Sequence, residues 1–85
     1  MLKIYGSMHC PDCVQCVREL KEANVDFEYL DFADDLGALK SFLHIRDREP
    51  IFASVREQGK IGIPCLVLED GSVALEWNQF IPSAK

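Results

Sequence analysis

No stretch of the chain approaches the roughly 20 apolar residues that a helix needs to cross a bilayer. Strand-like residues begin already at Leu2, so neither a transmembrane segment nor a signal peptide is expected. Basic residues are scarce and scattered. Nine Lys and Arg stand against fourteen Asp and Glu, for a net charge of -5, which argues against nucleic acid and against an anionic membrane as partners, because both are held by clustered cations that displace counterions. The chain also lacks repeats, low-complexity tracts and linkers, and 85 residues leave no room for a second core. One domain over residues 1–85 is expected. Its apolar content is ample: 48% hydrophobic against 27% charged is the balance of a soluble globular unit and not of a disordered one. A cytoplasmic location is expected.

Cysteine is not scarce. Of four in the chain, Cys10, Cys13 and Cys16 fall within YGSMHCPDCVQC, residues 5–16. Three cysteines so crowded cannot staple distant segments, which removes a disulfide scaffold. In a reducing compartment the cluster is reactive or metal-binding, or else its members are merely buried small hydrophobes.

The pattern around the cluster is that of a small α/β unit. Leu2 to Tyr5 read as a buried strand ending at Gly6. Pro11, whose fixed backbone angle and missing N–H suit the first helical position, opens a helix with Cys10 as its N-cap. Cys13, Cys16, Val17 and Leu20 then share one apolar stripe, and the helix ends near Asn24. Val25 to Phe32 read as a second strand with Phe27, Tyr29 and Asp31 on one side, and a right-handed parallel βαβ unit is the default connection. Asp34 or Asp35 caps a second helix with Leu36, Leu39, Phe42 and Leu43 inward. Pro50 starts a short helix carrying Ile51, Phe52 and Val55, closed by Gly59. From Ile63, two strand-like runs flank Asp70-Gly71, a two-residue hairpin signal because both positions tolerate positive φ.

A CxxC pair at a helix start has a definite chemistry. Unpaired N–H groups and the partial positive charge of the helix N-terminus favour thiolate over thiol at the first cysteine, so Cys10 is the expected nucleophile. Cys13, one turn deeper, is placed to attack a mixed disulfide on Cys10 and resolve it. Ile63-Pro64 adds a second signal. A proline opening a strand is tolerated if its peptide bond is cis, which turns the main chain of Ile63 toward a visiting peptide.

The order MLKIYG, CPDC, a βαβ unit, GIPCLVL and a hairpin at Asp70-Gly71 resembles a glutaredoxin-related protein of the thioredoxin fold, over nearly the whole chain. The resemblance implies a four-stranded mixed sheet with flanking helices and a C-terminal helix that is short or absent. It also places Cys10 and Cys13 at the tip of the first helix beside cis-Pro64. It makes the chain an expected thiol-disulfide oxidoreductase acting on protein or low-molecular-weight disulfides, with Pro11, Asp12, Ile63 and Pro64 meeting the substrate and no tightly bound cofactor. Its electron donor is then a dithiol or a reductase.

Several departures bear on glutathione. Asp12 stands where dithiol glutaredoxins carry Tyr, no basic residue precedes the motif, and the segment expected to hold the γ-glutamyl group falls at Asp70-Gly71-Ser72, read as a turn. Arg56 and Lys60 are the cations nearest in sequence that could compensate. Glutathione is therefore expected to be a weak cosubstrate.

The competing expectation is a zinc or iron-sulfur carrier, because Cys10, Cys13, Cys16 and Cys65 together supply enough thiolates for such a site. Against it, Cys16 shares its stripe with Val17 and Leu20, where a core thiol belongs. An adaptor without catalysis is the third class. His9, Met8, the Asp34-Asp35 and Glu69-Asp70 pairs and Trp77 are assigned structural or solvent-facing roles.

Overall fold

A computed structural model describes residues 1–81. Its elements run β1 (Leu2–Gly6), α1 (Pro11–Glu22), β2 (Phe27–Asp31), α2 (Leu36–Arg48), a 3-10 turn at Pro50–Phe52, α3 (Ala53–Glu57), β3 (Cys65–Val67), β4 (Val73–Ala74) and a closing 3-10 turn at Asn78–Phe80. The strands form a single mixed sheet in the order β2-β1-β3-β4. β1 runs parallel to β2, with Ile4 opposite Tyr29 and Gly6 opposite Asp31. β3 is antiparallel to β1, Tyr5 facing Cys65, and to β4. Among the described residues no helix is long and apolar enough to cross a membrane.

Side chains alternate across a strand, so β1 and β3 each feed both faces of the sheet. Ile4 and Leu66 pack with Cys16 and Leu20 of α1 and with Ala74, and Phe27, Tyr29 and Trp77 close round them. Tyr5 and Cys65 point the other way, into a cluster built on Phe42 of α2 and Phe52. The expected stripe Cys13, Cys16, Val17 and Leu20 is buried as a set. Trp77 is tied to α1 by a 2.8 Å hydrogen bond from its indole Nε1 to Glu19 Oε1.

Four expectations need correction. The inner face of α2 is Ala38, Phe42 and Ile45, whereas Leu36 and Leu43 are exposed. The Asp35 carboxylate, which accepts from the Gly37 and Ala38 amides, sets where the helix starts. The i, i+4, i+7 line from Ala38 then faces the sheet, leaving the leucines one step off it. Ile51 is likewise exposed, and Phe52 alone from the Pro50–Phe52 turn enters the core. The second strand is shorter than Val25 to Phe32. The hairpin turn is one residue out of place: the Gly71 amide donates to Leu68 O, so Glu69 and Asp70 are its central residues, and Gly71 follows with φ 89°. Asp70 does not adopt positive φ. Its carboxylate instead accepts from the amide and hydroxyl of Ser72. Of the chain after Trp77, the described part carries only the Asn78–Phe80 turn, and residues 82–85 of the expected short or absent closing helix lie outside the described residues.

The phase of α2 is testable by truncation. Phe42→Ala should cost about 3–5 kcal/mol by emptying the middle of one cluster, while Leu36→Ala should stay within about 0.5 kcal/mol; urea denaturation of both variants measures the contrast.

Candidate active site

The end of β1 and the start of α1 are joined by Ser7 to Cys10. The loop is held by its main chain and the Ser7 hydroxyl: the Cys10 amide donates to Ser7 O at 3.0 Å, the His9 amide to Ser7 Oγ at 3.1 Å and the Val14 amide to Cys10 O at 3.1 Å. Cys10 therefore sits in extended conformation, φ -97° and ψ 122°, as the N-cap, and its side chain makes no capping hydrogen bond. Cys10 is half-buried and Cys13 fully buried. His9 and Met8 are exposed.

Cys13 lies against the backbone of β1. A Cβ on Gly6 would stand 2.7 Å from Cys13 Sγ and 3.0 Å from Tyr29 Oη, so the absence of a side chain at position 6 is what lets the helix approach. Burial raises the Cys13 pKa above its ordinary 9.0, the Ser7 main chain pulls the other way, and the neighbouring Cys10 sulfur adds to the rise. Burial also pushes Cys16 and Cys65 up to about 12. Tyr29 Oη is buried and, among the described residues, has no hydrogen-bond partner, an omission that costs about 1–3 kcal/mol in a protein interior.

Beside Cys10 opens a cleft of about 400 Å³, bounded by Cys10 and Asp12 on one side and by Val55, Lys60, Ile61 and Ile63 on the other. The Ile63-Pro64 bond is cis, and Pro64 directly precedes the strand whose Cys65 pairs with Tyr5. The far wall is anchored to α2: Arg46 Nε donates to Ile61 O at 2.9 Å, and its Nη2 to Lys60 O. Gly62 packs on Phe52 at φ 91°, where a Cβ would come 2.6 Å from the ring; glycine alone meets both demands.

The structure thus brings Cys10, Asp12 and Ile63 to one cleft, with Cys13 directly behind Cys10. Pro11 holds the first helical position and is exposed, and Pro64 is buried beneath the wall; neither lines the cleft. Of the two cations weighed for glutathione, Lys60 lines the cleft, whereas Arg56 is half-buried and its Nη1 is used on the carbonyls of Arg46 and Glu49. The set of four thiolates is not assembled. Cys16, on α1, packs against Ile4 and Leu66 on one side of the sheet and Cys65 packs with Phe42 and Phe52 on the other, and among the described residues no three His, Cys, Asp or Glu side chains are grouped to hold a metal ion. Gly6, Tyr29 and Arg46 were not singled out from the sequence. The parity of β2 puts Tyr29 on the same side as Phe27, but its meeting with Cys13 depends on the crossing of α1 over the sheet.

No family model and no solved structure matches the chain. It is 36% identical over 70 residues to an uncharacterized protein of Haemophilus influenzae, covering 82% of this chain and 81% of that one. The chain belongs to that protein's family. That relative is uncharacterized, so the chemistry rests on the arrangement of the thiols themselves.

The three buried thiols, Cys13, Cys16 and Cys65, make stability depend on alkaline pH. Their pKa values are higher folded than unfolded, so the folded chain holds more protons once the unfolded thiols begin to ionise. The contribution is complete below about pH 9 and is lost as pH rises toward about 12. Under reducing conditions the urea midpoint should be level below pH 8 and fall between pH 9 and pH 11; a midpoint rising over that interval would contradict the neutral, buried state of Cys16 and Cys65.

Proposed function

We propose that the chain is a small glutaredoxin-like thiol-disulfide oxidoreductase of thioredoxin-like fold, acting in the cytoplasm on protein or low-molecular-weight disulfides. The observation that carries this is the pairing of half-buried Cys10, at the N-cap of α1, with fully buried Cys13 one turn behind it, at a cleft closed by Ile63. The fold part is supported by the strand order β2-β1-β3-β4, with a parallel first pair and an antiparallel hairpin.

The chemistry proceeds in two exchanges. The Cys10 thiolate attacks one sulfur of the substrate disulfide, the substrate S–S bond breaks, and the departing sulfur takes a proton. The remaining half is held on Cys10 as a mixed disulfide. Cys13 then attacks Cys10 Sγ, expels the second substrate thiol, and leaves a Cys10–Cys13 disulfide for a dithiol donor or a reductase to reduce. The two sulfurs are suited to different steps. Cys13 stays protonated in the resting protein because it is buried and because the Cys10 sulfur beside it opposes a second charge. Once Cys10 is in a mixed disulfide that opposition ends, so the resolving thiol becomes easier to ionise only after the first step.

Electrostatics disfavours an anionic cosubstrate. The cleft offers Lys60 across from Asp12, Arg56 is engaged with main-chain carbonyls, and the net charge is -5. The carboxylates of glutathione therefore meet little fixed positive charge.

Cys10→Ser should abolish reduction of a model disulfide, while Cys13→Ser should trap substrate on Cys10, seen by intact mass; turnover by Cys10→Ser equal to wild type rules the assignment out. In steady-state assays, glutathione should saturate poorly and support slower turnover than a dithiol or a thioredoxin-reductase-type system. Rapid turnover saturating at low millimolar glutathione would show that the cleft holds its carboxylates after all.

A further inference from the structure

Tyr29 occupies the middle of β2 opposite Ile4 and packs into the α1-facing cluster. Buried phenols nearly always find a hydrogen-bond partner, yet among the described residues Tyr29 Oη has none. What it has is a sulfur neighbour. Cys13 Sγ and Tyr29 Oη border the same space above Gly6, 2.7 and 3.0 Å from the position a Cβ would take there. The groups that bear on the phenol are Cys13 and Cys10 from α1 and its cap, and Asp31 from β2. Those that bear on Cys13 are Cys10, the Ser7 main chain and Tyr29.

A thiol sulfur is a weak acceptor, whereas a thiolate is a strong one. The acceptor that the phenol lacks in the resting protein is therefore the ionised form of its own neighbour, which exists only while resolution takes place. We propose that Tyr29 Oη is the hydrogen-bond donor that receives the Cys13 thiolate during the second exchange.

This role rests on the exchange reading above and deepens it. The mixed disulfide on Cys10 and the Cys13 thiol become the Cys10–Cys13 disulfide and a free substrate thiol. The new bond is Cys13 Sγ–Cys10 Sγ, the broken one joins Cys10 to the substrate, and the Cys13 proton ends on the departing sulfur. Tyr29 gains and loses no proton. Its own ionisation is shifted upward, first by burial and then by the neighbouring Cys13 and Asp31, so it donates without transferring.

Tyr29→Phe removes one oxygen and keeps the packing. The Cys13 thiolate fraction, measured by the pH dependence of its alkylation in the Cys10→Ser background, should fall about tenfold at a given pH, as loss of a hydrogen bond to a charged group implies. A mixed disulfide preformed on Cys10 should resolve about tenfold more slowly, with the alkylation rate of Cys10 itself unchanged. The reduced variant should be as resistant to urea as wild type or more so, because it loses only an unpaired hydroxyl; a purely structural tyrosine would give the opposite sign. An unchanged Cys13 profile and mixed-disulfide lifetime in an active protein overturns the role of Tyr29 alone. So does a loss of stability that slows Cys10 and Cys13 equally. A wild-type chain that forms no mixed disulfide with any substrate removes the exchange reading, and the step assigned to Tyr29 with it.

Discussion

Helix α1 reaches the end of β1 so closely that position 6 has no space for even one carbon. The approach at Gly6, 2.7 Å from Cys13 Sγ to the point where a Cβ would lie, fixes how deep the second cysteine sits and, through the rigid first turn, how far the first one projects. Because one helical turn separates Cys10 from Cys13, burying one at the strand leaves the other at the rim. The same contact pushes Cys13 against Tyr29 and sets the Ser7 to Cys10 loop, whose amide bonds hold the N-cap extended.

From that geometry follows a division of charge. Three thiols are buried and held neutral by desolvation, and Cys10 alone reaches a cleft. Two of the three, Cys16 and Cys65, fill opposite faces of the sheet and behave as small apolar side chains. The cations are spent in a parallel way. Arg46 and Arg56 satisfy main-chain carbonyls of α2 and of the segment before β3, shaping the cleft wall at the expense of its charge. Of the cations near it, Lys60 is the one that lines the cleft.

Much of this was legible in local signals. Pro11 after Cys10, the Cys13 to Leu20 stripe, the strand from Leu2 to Gly6 and the proline in front of Cys65 each report the conformation of a few consecutive residues, and each appears where expected. The expectations that failed concern choices between neighbouring registers. Of the stripe Leu36, Leu39, Phe42 and Leu43, Phe42 is inward as expected, but its companions on the sheet side are Ala38 and Ile45, while Leu36 and Leu43 are exposed. At the hairpin, Asp70-Gly71 suits a two-residue turn, but the pairing of Leu68 with Ser72 moves the turn back by one residue.

By itself the sequence determined the order of elements, the cysteine at the helix cap with a second one turn deeper, and a charge balance unfavourable to polyanions, because these depend on local backbone preference, helical spacing and composition. The tertiary structure alone decided which thiols can meet. Cys65 is sent to the face opposite Cys16 by strand alternation, and Tyr29, sixteen positions beyond Cys13, comes to its side. Such meetings are set by the packing of α1 across two strands, where the side chain missing from Gly6 makes the space, and no interval along the chain encodes that distance.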